Sequence, residues 1–277
     1  MVMSINLSKE EKITILGEIK KKKILRDLED HFVLELLDGY LIEHPKLIVK
    51  LKEKGSFQKS KEFKLIVKDV RSVLHDIYGL FSFDKKKVEK LLKEKDFDLE
   101  WHVKVLKCSK STSERLNYYP IIYEQIWSEI GEVKSVLDLG CGLNPFSLPY
   151  MNLKNVEYLA YELTSGYCDA INKYFKLSRI NGKCESVDLL KIGKLPKADV
   201  CFLFKVLDGL EQIKLNYTLE LFEKISSKFI IVSFATRSIK AGKKFNRGKW
   251  FIKMLDKLKL KYKFFETDNE IFYIINK

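Results

Sequence analysis

The sequence predicts an α/β protein: a doubly wound parallel sheet closed by a C-terminal β-hairpin and preceded by a helical N-terminal domain. Three observations predict it. Up to Glu129 apolar residues recur three and four apart, after Gly131 the texture changes to short apolar runs alternating with helical stretches, and the chain ends in two strand-like runs separated by TDNE.

In the first part the helical period runs through Phe32, Leu36, Leu37 and Leu41, then Leu65, Val67, Val70, Leu74 and Ile77, then Val88, Leu91 and Leu92. His44-Pro45, Lys54-Gly55 and the Gly79 region punctuate it. Residues 1–108 are read as a helical domain, 109–130 as a linker helix and 131–277 as the sheet domain. Strand candidates there are Ser135–Leu139, Glu157–Glu162, Lys183–Asp188, Val200–Phe204 and Phe229–Phe234, with helices at Gly166–Leu177 and Leu215–Ile225 between them. Such alternation predicts parallel strands covered by helices on both faces. Lys261–Glu266 and Ile271–Ile275 then form the hairpin. A Rossmann-like sheet with this ending resembles the class I S-adenosylmethionine-dependent methyltransferases.

Composition narrows the partners. The 277 residues are 46% apolar, yet no run of about 18 apolar residues occurs, so no spanning helix is expected. MVMSINLSKEEKITIL lacks the layout of a secretory signal. Cys108, Cys141, Cys168, Cys184 and Cys201 are odd in number and never spaced CxxC, which predicts reduced thiols in a cytoplasmic protein and no metal site. The formal charge is +13, and Arg237 to Lys263 holds 11 basic residues against the single acid Asp256. A local excess of that size predicts a face for a polyanion.

The stretch VLDLGCGLNPF ends the first strand at Asp138 and turns at Gly140-Cys141-Gly142. A dinucleotide fingerprint would continue to a third glycine where Pro145 stands, and no P-loop pattern occurs, so phosphate binding fits poorly. S-adenosylmethionine has a ribose and an adenine but no phosphate. It needs a carboxylate on the second strand for the ribose hydroxyls, met by Glu162 with Leu163 beside it. It also needs a polar group after the third strand for the adenine amine, met by Asp188, with Leu189 against the ring. The loop, with Asp138, Gly140, Cys141 and Gly142, would approach the amino-acid end, Asp138 accepting from its ammonium.

A narrower resemblance covers Arg71 to the C-terminus. GCGLNPF, SLPYMNL, SVDLL, ADVCFLFKVLDGLE, FIIVSFATRSI and DNEIFYIINK, together with RSVLHDIYGLF and SKSTSERL upstream, are similar in order to the aminoglycoside-resistance methyltransferases that modify N7 of a guanine in the decoding site of 16S rRNA. The resemblance implies that Arg115 reaches the cofactor carboxylate, that Ser109, Lys110, Ser111 and Phe81 close the pocket, and that Phe204 lines it. It implies a helical domain that recognises the small ribosomal subunit, and a chain expected to act as a monomer. An arginine suits a carboxylate because its planar fork donates two parallel hydrogen bonds. Lys205, after the fourth strand, is the candidate for contacting the target base or the cofactor, and Glu270 for orienting the guanine edge, with a hairpin-turn acid as the alternative. Arg237, Lys240, Lys243, Lys244, Arg247 and Lys249 would contact phosphates, with Trp250 as a stacking face or a core residue. The family's prolines in SFP and in the LP after the fourth-strand lysine are replaced here by Ala235 and Asp208. Another RNA target, such as N1 of adenine, or a non-catalytic RNA-binding or assembly protein with a vestigial cofactor site, are the alternative readings.

Overall fold

The computed structural model describes residues 6–26, 28–53, 56–75, 83–94, 96–236 and 249–277. Contacts divide the chain into two units, Met1–Ser82 and Phe83–Lys277. Among the described residues of the first unit, α1 (Lys9–Lys20), α2 (Asp30–Glu43), α3 (Pro45–Lys52) and α4 (Lys61–Leu74) follow one another. A capping box starts α1, the Ser8 side chain accepting from the Glu11 amide while Glu11 accepts from the Ser8 amide. Pro45 at the start of α3 separates it from α2. The buried face of α4 is Phe63, Ile66, Val67, Val70 and Leu74, whereas Leu65 of the expected stripe is 40% exposed. Residue 66, not 65, keeps the 3.6-residue period with 63 and 70. A groove of about 750 Å³ in this unit is lined by Lys22, Lys59, Lys64, Lys68, Arg71 and His75, with Glu18, Gln58 and Ser72, over Phe63 and Val67, and Glu18 pairs with Arg71 at 3.6 Å.

The second unit begins 26 residues before the expected boundary at 108/109. Helices α5 (Lys85–Leu91) and α6 (Leu99–Leu106) bury Val88, Leu91, Trp101, Val105 and Leu106 in the same core as the sheet. The expected linker helix is two helices, α7 (Lys110–Arg115) and α8 (Tyr119–Ile130), with Pro120 in the first turn of the second. Gly131, at φ +78, ends α8.

The sheet follows: β1 (Ser135–Leu139), α9 (Leu148–Met151), β2 (Glu157–Glu162), α10 (Ser165–Leu177), β3 (Gly182–Ser186), β4 (Val200–Phe204), α11 (Leu207–Ile213), α12 (Tyr217–Lys224), β5 (Phe229–Ala235), α13 (Lys249–Lys257), β6 (Lys261–Glu266) and β7 (Glu270–Asn276). Strand order is β3-β2-β1-β4-β5-β7-β6. The first five strands pair in parallel, and β7 enters antiparallel between β5 and β6. Both faces are covered. Val136, Tyr158, Phe202, Phe204 and Phe272 pack with α5, α6, α8 and α10, while Leu137, Leu139, Cys201, Leu203 and Val232 pack with α11, α12 and α13. Strands buried on both faces read as continuous apolar runs, which is why SVLDL and VCFLF show no polar alternation. Among the described residues no helix is long and apolar enough to cross a membrane.

Candidate functional site

Parallel strands carry their carboxyl ends to one edge of the sheet, and strand order reverses between β1 and β4. The loops after those two strands therefore flank a crevice. Gly140 lies at φ +67, and a Cβ there would stand 2.6 Å from Cγ2 of Val206 in the loop after β4. Glycine is what lets the two loops meet. The amides of Gly140 and Cys141 donate to the Tyr161 carbonyl at 2.7 and 3.1 Å, and the Gly142 amide donates to Glu162 Oε2 at 2.9 Å. Three successive loop amides are thus satisfied by the end of β2, and none of them forms an anion-binding nest.

What this edge offers instead is carboxylate. Asp138 is 1% exposed. Its Oδ2 accepts from the Tyr158 hydroxyl at 2.6 Å and from Asn144 Nδ2 at 2.9 Å, while its buried Oδ1 has no hydrogen-bond partner. Burial pushes its carboxyl up to about 6, against those two hydrogen bonds and the positive charge of Arg115. Asn144 is itself held, its Oδ1 accepting from the hydroxyls of Tyr119 at 3.5 Å and Tyr123 at 3.3 Å. Glu162, half-buried, accepts from Gly142 and, through Oε1, from the Leu163 amide at 2.8 Å. Burial raises its carboxyl while these backbone donors pull it down. β3 ends at Ser186, so Asp188 sits two residues beyond it. Its Oδ1 accepts from the Leu190 amide at 2.9 Å, its buried Oδ2 has no hydrogen-bond partner, and the Lys191 ammonium stands 3.9 Å from that atom. Leu189 is buried beside it, its carbonyl accepting from the Tyr217 hydroxyl. Buried acceptors without donors, beside a turn whose Gly140, Cys141 and Gly142 amides are already bonded, match a ligand that brings hydroxyls, an amine and positive charge, and mismatch a pyrophosphate.

On the β4 side four charges lie together. Arg115, 2% exposed, donates through Nε and Nη2 to both oxygens of Glu270 at 2.8 to 3.0 Å, and its guanidinium lies 5.0 Å from the centre of the Phe204 ring. Tyr119, whose hydroxyl lies in the field of the Arg115 charge, donates to Asn144. Lys205 takes φ +59, its amide donating to the carbonyl and the hydroxyl of Ser233. Its ammonium meets Glu114 at 3.0 Å and Glu270 at 3.2 Å. Ser233 also donates to Glu270. Burial works to raise the Glu270 carboxyl, but Arg115 and Lys205 outweigh it and hold it below the ordinary range.

Glu270 therefore differs from its expected role. It is the first residue of β7, 0% exposed, and its oxygens are occupied by Arg115, Ser233 and Lys205, so it positions two cations and presents no free edge to a base. Phe251 is fully buried, and Trp250 is half-buried with its ring edge-on to Phe234 and Phe251. Both are packing residues of α13. Ser109 is buried and pairs with Tyr167, Ser111 is half-buried, and Lys110 is exposed. Lys249 lies on the exposed side of α13. Phe81, Arg237, Lys240, Lys243, Lys244 and Arg247 lie outside the described residues. Cys201 is a core residue of β4 whose thiol burial pushes well above its ordinary range. Among the described residues no group of three or more His, Cys, Asp or Glu is arranged to hold a metal.

Sequence reasoning missed Tyr158, Tyr119, Ser233 and Glu114 as members of the site. Tyr158 pairs in register with Val136, which faces the same side of β1 as Asp138, so its hydroxyl reaches the acid diagonally. The signal was the strand register, which only pairing supplies. Asn144 did carry a signal, as a polar residue inside an otherwise apolar LNPF.

A protein of Micromonospora rosea named 16S rRNA (guanine(1405)-N(7))-methyltransferase is 27% identical over 225 residues, spanning 76% of this chain and 82% of its own length. A protein of the same name from Proteus mirabilis is 26% identical over 196 residues, 64% of this chain and 70% of its own. The solved structure of the 16S rRNA methyltransferase RmtF in complex with S-adenosyl-L-homocysteine shares the fold at a TM-score of 0.79 and 23% identity, covering 98% of this chain and all of that one. The family model described as ribosomal RNA methyltransferase (FmrO) matches residues 39–255, well over half of the sequence, and the chain belongs to that family.

Proposed function

We propose that the protein binds S-adenosylmethionine at the ends of β1, β2 and β3 and transfers its methyl group to N7 of a guanine in 16S rRNA, in the decoding region of the assembled small ribosomal subunit. The observation that carries this reading is the row of three strand-end carboxylates, Asp138, Glu162 and Asp188, beside a glycine loop whose amides are already satisfied. Asp138 would take the ammonium of the amino-acid end, Glu162 the ribose hydroxyls, and Asp188 the adenine amine, with Leu163, Leu189 and Phe204 as apolar walls. The remaining guanidinium nitrogen of Arg115, a residue braced by Glu270, would take the carboxylate. When bound, the cofactor supplies a methyl group on a sulfonium, an electrophile that needs no metal ion.

The acceptor follows from the chemistry of relatives with that name and from what the site contains. N7 of guanine carries a lone pair and no proton, so the step needs no general base. The step asks none of the described acids to take a proton from the base, and catalysis rests on holding base and donor in line. The base has to leave its stack, at a cost of a few kcal/mol that backbone contacts offset. α13 supplies such contacts: Lys249, Lys253 and Lys257, four residues apart, line its exposed side opposite the buried Phe251, Met254 and Leu255. The basic groove of the helical unit supplies a second phosphate-binding surface, and the protein works as a monomer in the cytoplasm.

Purified protein with labelled S-adenosylmethionine should methylate small subunits, and primer extension should map the product to one guanine. Normal cofactor binding without transfer to small subunits would refute the acceptor. Changing Lys249, Lys253 and Lys257 together to Ala should weaken RNA binding and flatten its salt dependence by up to about one unit of slope for each phosphate no longer neutralised, with cofactor affinity retained.

Asp138 sets a pH dependence whose sign is fixed. Its folded value of about 6 lies above the ordinary 3.8, so the folded chain holds this proton more tightly and the unliganded protein loses stability as the pH rises from about 4 through 6. Cofactor binding needs the ionised form, so affinity should fall as the pH drops below about 6, by up to about tenfold per pH unit. Calorimetry with S-adenosylhomocysteine from pH 5 to 8 tests this. Asp138→Asn should bind weakly and without that pH step; an unchanged step in the variant would assign the proton elsewhere.

A further inference from the structure

Two carboxylates hold Lys205, and they differ in what they leave open. Glu270 is fully buried with both oxygens engaged, whereas the Glu114 side chain, in the last turn of α7, is 28% exposed. Its Oε2 accepts from Lys205 at 3.0 Å, and its Oε1 lies 4.0 Å from the ammonium of the exposed Lys110. The geometry is well held. Asn269 donates to the Glu114 carbonyl at 3.5 Å, the next residue is the clamped Arg115, and Ser233 fixes the Lys205 backbone at its positive φ.

We propose that Glu114 is a specificity-determining residue: with Lys205 it forms a donor–acceptor pair that reads the acceptor base, Lys205 donating to O6 and Glu114 Oε1 accepting from N1–H and the 2-amino group. The inference rests on the guanine reading above. Guanine presents an acceptor at O6 next to a donor at N1, the complement of an ammonium next to a carboxylate. Adenine reverses the order, an amino group beside the bare N1 lone pair, and so sets donor against donor and lone pair against lone pair. Lys205 carries three N–H donors; one is given to Glu114, the ammonium pairs with Glu270 at 3.2 Å, and a donor remains for O6. Both contacts fall away from N7, so the pair orients the ring without blocking the reacting lone pair.

The test is a cycle between protein and base. Small subunits are reconstituted with 16S rRNA carrying either guanine or inosine, which lacks the 2-amino group, at the mapped acceptor position, and single-turnover methyl transfer is measured with wild type and Glu114→Ala. Wild type should transfer to inosine about tenfold more slowly than to guanine, the range for one missing specific hydrogen bond. In Glu114→Ala that ratio should shrink to about twofold or less, while S-adenosylhomocysteine affinity by calorimetry stays within about threefold of wild type. An inosine penalty that is the same in both proteins, or absent from wild type, overturns the assignment. Loss of cofactor affinity in Glu114→Ala also overturns it, by placing the residue on the donor side. Wild type that binds cofactor but fails on guanine-bearing subunits overturns the acceptor reading itself, and the assignment with it.

Discussion

Glu270→Ala is expected to destabilise the protein by about 3–5 kcal/mol, the cost of leaving a buried charge without its partner. Arg115 is 2% exposed and loses its two-pronged acceptor, and Lys205 loses one of its two carboxylates. Thermal and urea unfolding measure the effect. Arg115→Met combined with Glu270→Ala should cost less than the sum of the two single changes, because removing both charges leaves neither stranded. An additive double mutant would show that the pair is not coupled. The acid side carries the matching signature. The Glu270 carboxyl is held below its ordinary 4.5, so its contribution is complete above that pH and is lost as the pH falls further. Glu270→Gln should flatten that part of the stability profile.

Gly140→Ala is the second large effect, and it acts on the cofactor. The position needs φ +67, where an L side chain costs roughly 1–2 kcal/mol, and the new Cβ would meet Val206 Cγ2 at 2.6 Å and Cγ1 at 3.2 Å. Valine branches at Cβ and cannot swing its methyls clear, so the loop after β1 has to move. S-adenosylhomocysteine affinity should fall more than tenfold, on the order of 2–4 kcal/mol when the overpacking cost is added. Gly142→Ala is the control: φ is +52 there as well, but nothing lies within 4 Å of the new Cβ, so only the backbone cost remains. Val206→Ala should restore part of the binding that Gly140→Ala removes. If Gly142→Ala proved the more damaging change, the contact between the loops would not be the reason for the glycine.

The sheet is legible in the sequence where a strand is buried on both faces, as SVLDL and VCFLF are, and also in EYLAYE, which buries alternate residues. All three occupy the expected bounds because a short apolar stretch next to a glycine loop, a turn or a helical stretch allows few other readings. β3 starts one residue before its expected start and stops two before its expected end, because GKCESVD has little apolar content to mark an edge strand. α5 and α6 belong with the sheet although the sequence groups them with the helical domain, since helical periodicity is the same whichever core a helix joins; only the packing of Trp101, Val105 and Leu106 decides it. Asp138, Glu162 and Asp188, the acids proposed for the cofactor, are readable because each stands at or next to a strand end. Glu270 is not. Its partner Arg115 is 155 residues away, and an acid beginning a C-terminal strand looks in sequence like a turn residue. Trp250 has two readings in sequence, and the rings of Phe234 and Phe251 decide for packing.

Glu270 with Arg115, and Tyr119 with Asn144 and Asp138, form two hydrogen-bonded groups that meet where the Arg115 charge acts on the Tyr119 hydroxyl. They start from opposite sides of the sheet's midpoint, so they meet only when β7 is in place. Arg115 therefore gains its buried counter-charge only once β7 has inserted between β5 and β6. A chain lacking β7 would hold the glycine loop, the three acids and α7 yet lack the carboxylate that fixes this guanidinium.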